Sequence, residues 1–229
     1  MTVTLMGLSI GAVGAFQPDA SAQALGSGLD RQVLRHMGEL DGQFNTTALS
    51  RPMVPAVAAS NDPASSAAGT ALWALWFDDP TYETKLDALI PLVAFRALVP
   101  PDQLAAVWKA TDKQRMIVVL SALTQLGVPY HRYTSLQGVA FDCSGLTAWA
   151  WAQVGLQLPH QSLRQLRAST QKLVDQQLPG DLFYYPGHIM LALGVGNAMI
   201  HAPFTGSRIE VRPMMKGRLN RFKVASPVG

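Results

Sequence analysis

The sequence contains a single cysteine, Cys143, among 229 residues. One thiol cannot form an internal disulfide, and it cannot supply the several thiolates of a structural zinc site. We therefore expect Cys143 to be a buried packing residue, an intermolecular linker or a reactive thiol. No sequence pattern calls for a metal or any other cofactor.

Charged residues are also scarce, at 14%, whereas apolar residues make up 48% of the chain. Disordered chains lack this proportion of core-forming residues, so the composition excludes that class. No uninterrupted apolar run reaches the roughly 18 residues needed to cross a bilayer. We therefore expect no stable membrane span.

Positive charge is missing from the start of the chain, where the first Lys or Arg is Arg31. Residues 5–16 are nonetheless largely apolar, and Ala22-Gln23-Ala24 has the small-x-small pattern of a signal-peptidase site. We expect residues 1–24 to be a signal peptide and the protein to be secreted or cell-wall associated. A start codon placed too far downstream would explain the uncharged beginning, and a buried N-terminal helix is the alternative.

Charge is unevenly distributed between the two halves. Residues 1–112 hold six Lys and Arg against eleven Asp and Glu, whereas residues 113–229 hold twelve against four. This shift predicts a boundary near Asp112, between a helical accessory region at 25–112 and a second domain. The Ala-, Ser- and Pro-rich residues 51–70 are typical of a linker. The basic second half indicates an anionic partner, but no nucleic-acid-binding module is recognisable, so we expect no nucleic acid.

The second half changes from helical to strand-like periodicity. Residues 143–154 have a helical apolar pattern. The β-prone segments that follow are Leu182–Tyr185, His188–Leu193, Ala198–His201, Ile209–Arg212 and Arg221–Ala225. One helix followed by a meander of strands predicts an α+β domain with an antiparallel sheet.

Cys143 precedes that helix directly, where unpaired N–H groups and the positive end of the dipole stabilise a thiolate. A hairpin turning at 194–197 would place His188 and His201 side by side. A thiol and a base oriented by a third polar group form a nucleophilic site. The residues alone leave two alternatives open: a metal-binding histidine pair, or a buried cysteine beside two sheet histidines.

Several short motifs occur in a specific order. They are Gly127-Val128-Pro129-Tyr130, Phe141-Asp142-Cys143-Ser144-Gly145-Leu146, Leu158-Pro159, Pro179-Gly180-Asp181-Leu182, and His188 followed by Met199-Ile200-His201-Ala202-Pro203. This order resembles the NlpC family of bacterial cell-wall cysteine peptidases, which have a papain-like fold. The resemblance covers roughly residues 113–212, within a peptidase domain at 113–229.

The resemblance implies an exported cysteine endopeptidase that hydrolyses peptidoglycan stem peptides, commonly at the bond from D-glutamate to a diamino acid. By position, Cys143 matches the nucleophile, His188 the general base and His201 the third, orienting residue. Tyr130 matches the tyrosine that helps to hold the oxyanion. Asp142 and Ser144 match positions that line the substrate pocket in this family.

Three departures from the family pattern affect the walls of the cleft more than the chemistry. Residues 131–135 replace an aromatic-glycine-glycine stretch, His160 stands where Arg is expected, and the turn at 194–197 is about one residue longer. Two other functions therefore stay open: a non-catalytic wall-binding module, and an amidase or acyltransferase acting on another acyl group. The basic residues between Arg208 and Lys223 indicate either a solvated face or attraction to anionic wall polymers.

Overall fold

The first half of the described chain consists of helices. The structure is a computed structural model that describes residues 55–215 and 222–229. The helices before the cysteine are α1 (Pro63–Trp76), α2 (Tyr82–Ala97), α3 (Pro101–Lys109) and α4 (Lys113–Leu123). The predicted signal peptide lies outside the described residues, as does a short helix at 30–39 that the helical spacing of Val33, Leu34 and Met37 predicts.

Two of these helices are capped by aspartate side chains; for α4 the sequence predicts Thr111 or Asp112 as the cap, whereas the cap of α1 lies in the predicted linker. Asp62 accepts the backbone N–H of Ala64 at 2.8 Å at the start of α1. Asp112 accepts the N–H of Arg115 at 2.9 Å at the start of α4. The shift in charge at Asp112 therefore coincides with a helix start.

The prediction of a linker at 51–70 is wrong over residues 63–70, which form the first two turns of α1. Ala64 and Ala68 are buried there because small side chains let the helix approach α4 closely. The Ser65 hydroxyl donates to the Thr124 carbonyl oxygen at 2.6 Å across that contact. Ala and Ser are typical of flexible linkers, but they equally suit a tightly packed helix.

The second half confirms the predicted mixture of helix and antiparallel sheet. A short hairpin, β1 (Ser135–Leu136) and β2 (Ala140–Phe141), leads into α5 (Cys143–Ala152), and α6 spans Ser162–Arg167. The remaining strands are β3 (Thr170–Lys172), β4 (Leu182–Tyr185), β5 (His188–Ala192), β6 (Ala198–His201), β7 (Glu210–Pro213) and β8 (Lys223–Ser226). They form one antiparallel sheet in the order β3-β8-β4-β5-β6-β7.

The sheet buries side chains on both faces with a period of two. Ile189 and Leu191 of β5 belong to the main core, beneath α5, whereas Met190 and Ala192 belong to a smaller cluster. The continuous apolar run after His188 thus divides between two cores, one on each face of the sheet.

The helices and the sheet share the main core. Its buried residues run from Ala56 to Ala225, and α2 packs against β7. The indole N–H of Trp108 in α3 donates to the carbonyl oxygen of Leu193, at the end of β5, at 2.9 Å. Residues 55–112 and the sheet therefore pack as one body. Within the described residues, every helix is too short or too polar to cross a bilayer.

Candidate active site

Cys143 is the first residue of α5, as the sequence predicts. Asp142 caps the helix by accepting the Gly145 N–H at 2.7 Å. A side chain at position 145 would collide with the Thr134 carbonyl oxygen, so glycine lets the loop before β1 lie against the helix start. These contacts fix the position of the thiol.

The Asp142 carboxylate is engaged on both oxygens. Oδ1 accepts the Ser144 hydroxyl at 3.0 Å and lies 2.9 Å from Nε2 of His160, and Oδ2 accepts the Tyr133 N–H at 2.8 Å. Burial acts to raise the pKa of Asp142, but the hydrogen bonds from His160 and Gly145 outweigh it and hold that pKa below its usual value. Within this structure Asp142 holds the helix start together, and its predicted contact with substrate stays a prediction.

Ser144 is buried at the same turn. Besides the bond from its hydroxyl to Asp142, its carbonyl oxygen accepts the side-chain amide of Gln165 at 2.8 Å. Its predicted role in lining the substrate pocket also stays a prediction.

The histidine hairpin is formed by β5 and β6, which turn at Gly194–Asn197. His188 Nε2 lies 2.8 Å from His201 Nδ1, and both residues are buried. The prediction that this hairpin places the two imidazoles side by side is therefore confirmed. The turn contains two glycines in the left-handed region, Gly194 at φ 83° and Gly196 at φ 55°.

Tyr130 is positioned by backbone contacts on both sides. Its N–H donates to the Ser207 carbonyl oxygen at 2.9 Å, and it forms a parallel bridge with Phe141, two residues before the cysteine. Burial, followed by repulsion from the charged form of Cys143, raises the pKa of Tyr130 above its usual value. The hydroxyl therefore stays protonated at neutral pH and remains a donor.

The thiol itself is partly buried, and burial raises the pKa of Cys143. The backbone N–H groups of Ile189 and Ser144 act in the opposite direction, while the negative charge of Asp142 raises the pKa further. The expected stabilisation of a thiolate at the helix start is thus present but smaller than the cost of burial. An efficient nucleophile at this position needs a proton acceptor beside it.

The predicted catalytic residues converge on one place. Contact with the Ile189 N–H puts Cys143 beside the residue that follows His188, and Tyr130 is close enough for its pKa to respond to the thiolate. Among residues 55–215 and 222–229, no three His, Cys, Asp or Glu side chains are arranged to hold a metal ion. The arrangement supplies a thiol, a pair of imidazoles and a phenolic donor.

Sequence reasoning missed Glu210, which begins β7 directly opposite His201. Its Oε1 lies 3.3 Å from His201 Nε2 and accepts Arg212 Nη1 at 3.3 Å. The hydrogen bond from His201 is the main reason why the pKa of Glu210 lies below its usual value. The sequence does show a carboxylate near the start of the predicted strand that follows His201. The contact with His201 could not be inferred from it, because that depends on how the two strands are aligned.

Fold and site together define a papain-like α+β domain in which a cysteine begins a helix packed on an antiparallel hairpin with two histidines. Residues 127–225 match the sequence profile of the NlpC/P60 family. Over these 99 residues the chain is similar to that family. The resemblance seen in the sequence, at 113–212, begins 14 residues before the matched segment and ends 13 residues before its end.

Curated relatives of this segment carry the names of wall enzymes. Peptidoglycan endopeptidase RipA of Mycolicibacterium smegmatis is 34% identical over 113 residues, or 42% of this chain. Peptidoglycan endopeptidase RipB of Mycobacterium tuberculosis is 36% identical over 121 residues, or 46% of this chain. The chain spans 22% of the length of that RipA, 50% of that RipB and 26% of a further relative from Mycobacterium bovis.

Among solved structures, the P60 domain of antigen MAP1204 from M. avium subspecies paratuberculosis superposes with a TM-score of 0.45 and 26% identity. The superposition covers 51% of this chain and 96% of that domain.

Proposed function

We propose that the protein is an exported cysteine endopeptidase that hydrolyses peptide bonds in peptidoglycan stem peptides through a thioester. The observation that carries this proposal is the meeting of Cys143, at the start of α5, with the hairpin on which His188 and His201 lie 2.8 Å apart. The names of the curated relatives support peptidoglycan as the substrate. The bond from D-glutamate to a diamino acid is the one that the family resemblance implies.

In the first half of the reaction, His188 takes the proton of the Cys143 thiol as the sulfur attacks the carbonyl carbon. The resulting oxyanion accepts hydrogen bonds from the Cys143 N–H and the Tyr130 hydroxyl. His188 then returns the proton to the leaving amine, the C–N bond breaks, and a thioester remains on Cys143.

In the second half, His188 takes a proton from water, whose oxygen attacks the thioester carbonyl. The tetrahedral intermediate collapses, the C–S bond breaks, and the thiolate receives the proton from His188. The products are the regenerated thiol and a peptide carboxylic acid, which releases its proton to water. Because burial raises the thiol pKa, His188 has to be present as the acceptor in both halves.

Digestion of purified peptidoglycan tests the proposal, with released muropeptides identified by mass spectrometry. We expect wild-type protein to release fragments with a new D-glutamate carboxyl end, and Cys143→Ala and His188→Ala to release none. Ser169→Ala, which removes a hydroxyl that donates only to the Gln165 carbonyl oxygen, is a matched control that should digest normally. Equal release by wild type and Cys143→Ala would refute the proposal.

Export is tested separately. If residues 1–24 are a signal peptide, protein recovered from the medium or the wall of a producing bacterium should begin at Leu25. An intact Met1 on protein recovered there would contradict cleavage after Ala24.

A non-catalytic wall-binding module is a second candidate, because a buried thiol with a raised pKa is also what an unreactive cysteine would show. This candidate predicts tight co-sedimentation with insoluble peptidoglycan, slow alkylation of Cys143 and no digestion. If anionic wall polymers contribute to binding, the bound fraction should fall at high salt. Fast alkylation together with turnover of a different acyl compound would instead favour an amidase or acyltransferase.

A further inference from the structure

The His201 imidazole has a partner on each side. His201 Nδ1 faces His188 Nε2 at 2.8 Å, and His201 Nε2 faces Glu210 Oε1 at 3.3 Å. Glu210 lies directly across the strand pair from His201, so the backbone register of β6 and β7 fixes this contact. A row of three side chains thus runs from the candidate base to the edge strand.

Protons in such a row have only two orderly arrangements, since each neutral imidazole donates from one ring nitrogen and accepts at the other. In the first, His201 carries its proton on Nε2, and Nδ1 accepts the Nε2 proton of His188. His188 Nδ1 then holds a lone pair. In the second arrangement all of these roles are reversed, and His188 Nδ1 carries a proton and cannot accept another.

An ionised carboxylate only accepts hydrogen bonds, so Glu210 selects the first arrangement. Arg212 Nη1 donates to the same oxygen, Oε1, and its charge favours the ionised form of that carboxylate. His201 is buried, with a side chain only 6% exposed, whereas the Glu210 side chain is 45% exposed. The carboxylate therefore sits at the solvent edge and acts on an imidazole in the interior.

We propose that Glu210 is a positioning residue that fixes the proton on His201 Nε2 and thereby leaves a lone pair on His188 Nδ1 for the Cys143 proton. Its negative charge also favours transfer of that proton from the thiol, because the imidazolium that forms is closer along the row to Glu210 than the thiolate is. This role rests on the proposed function, in which His188 is the base.

Nitrogen NMR of the ¹⁵N-histidine-labelled full chain tests the proton arrangement without any substrate. In the Cys143→Ala protein at a pH of about 9, where unperturbed imidazoles are neutral, we expect His188 and His201 to be protonated on Nε2. Adding Glu210→Gln should produce a mixture of tautomers, because an amide can donate as well as accept. Glu210→Asp keeps the charge and should restore the wild-type signals at least in part.

Reactivity provides the second measurement. Glu210→Gln should slow alkylation of Cys143 by iodoacetamide at neutral pH, and should lower kcat by about tenfold, the scale of one charge-assisted hydrogen bond. KM should stay unchanged, because Glu210 acts on His201 and not on substrate. Glu83→Gln is the matched control, since it neutralises an exposed glutamate paired with Lys109 on the helices.

The outcomes separate this inference from the proposed function. Unchanged tautomers in Glu210→Gln, or a wild-type proton on His201 Nδ1, would overturn the positioning role even if peptidoglycan is digested. A lower kcat without any tautomer change would overturn it as well. A tautomer shift in a protein that never digests peptidoglycan would support the role of Glu210 and refute only the substrate.

Discussion

His160 stands where the family resemblance predicts arginine, and an imidazole titrates in a range where a guanidinium does not. Its hydrogen bond to Asp142, at 2.9 Å, is the main cause that raises the pKa of His160 above 6.5, against the opposing effect of burial. The protonated form is therefore favoured in the folded state. The stability that it contributes is fully present below the unfolded pKa and is lost as pH rises through the folded one.

We predict that the free energy of unfolding will depend on pH through His160. As pH rises from the unperturbed imidazole pKa of about 6.5 through the higher pKa of His160 in the folded protein, wild-type protein should lose stability relative to His160→Gln. Urea denaturation at several pH values measures this difference. His160→Arg, which keeps a cation at every pH, should increasingly exceed wild type as pH rises; parallel curves for all three proteins would contradict the prediction.

A second prediction at the residue scale concerns Gly145, at the start of α5. In Gly145→Ala the new methyl group would collide with the Thr134 carbonyl oxygen and lie 2.9 Å from His160 Nε2. We expect a loss of about 1–3 kcal/mol in the free energy of unfolding, as for other overpacked sites, and slower alkylation of Cys143 because the helix start is displaced.

Gly69→Ala is the matched control, because Gly69 is also helical. Its added methyl group would meet only the Ala58 backbone nitrogen at 3.4 Å and other atoms of Ala58 beyond that distance. Alanine is the better helix former, so this variant should be neutral or slightly stabilised. Equal destabilisation of both variants would refute the special constraint at position 145.

Among the elements, a buried ion cluster ties α4 to the sheet. Asp181, directly before β4, is fully buried and accepts Arg115 Nη1 of α4 at 2.8 Å and Lys172 Nζ of β3 at 3.1 Å. Arg115 Nη2 also donates to the Ser226 hydroxyl of β8 at 2.7 Å. The Pro179-Gly180-Asp181 motif thus serves to join one helix and three strands.

Asp181→Asn should be strongly destabilising, because it leaves the Arg115 guanidinium without its carboxylate in the interior. Breaking a buried pair typically costs about 3–5 kcal/mol, measurable by urea denaturation. Asp112→Asn removes the other carboxylate near Arg115, at 3.5 Å, but from a side chain that is 60% exposed. Asparagine also caps helices, so this control should lose less than about 1 kcal/mol.

The elements that the sequence predicted are those with a strong apolar period. β4 and β6 have the predicted bounds because each is a short run of β-prone, mostly buried residues, and Gly and Asn mark the turn between β5 and β6. β3 was missed because Thr170–Lys172 is a polar edge strand that pairs only with β8 within the described residues. An apolar pattern in the sequence indicates buried side chains, and an exposed edge strand such as β3 buries few of them.

The candidate site was predictable up to the point where strand register matters. Cys143 and the hairpin histidines follow from local order along the chain, whereas Glu210 reaches His201 only because β7 pairs with β6 in one register. Asp142 was assigned to the substrate pocket from its motif position, but the structure shows its oxygens engaged by four groups of the protein. Sequence position alone does not reveal these four contacts, and the predicted contact of Asp142 with substrate stays a prediction.

At the scale of the whole molecule, the helical half is part of the folded body. α1 packs against α4, and the Ser60 hydroxyl donates to the Leu126 carbonyl oxygen at 2.6 Å. A protein beginning at Pro100 would lose α1 and α2 and expose the apolar faces of α4 and β7. We therefore predict that it lacks cooperative unfolding and near-ultraviolet circular dichroism, and has no turnover.

The competing expectation is that the acidic helical half covers the cleft and restrains the enzyme. It predicts that the protein beginning at Pro100 stays folded and turns over faster than the full chain, with a gap that narrows as salt rises. Leu104→Ala in the full chain is a milder perturbation of the same layer, since Leu104 is fully buried. It should cost about 2–5 kcal/mol without raising turnover.

The hydrogen bond from the Trp108 indole to the Leu193 carbonyl oxygen has a consequence for how this domain can be inherited. Leu193 ends the strand that begins with His188, so a residue of the helical half supports one end of the histidine hairpin. A recombination event that joined only residues 113–229 to another gene would carry the motifs and leave that support behind. In this lineage the helices and the thiol site are expected to be exchanged together or not at all.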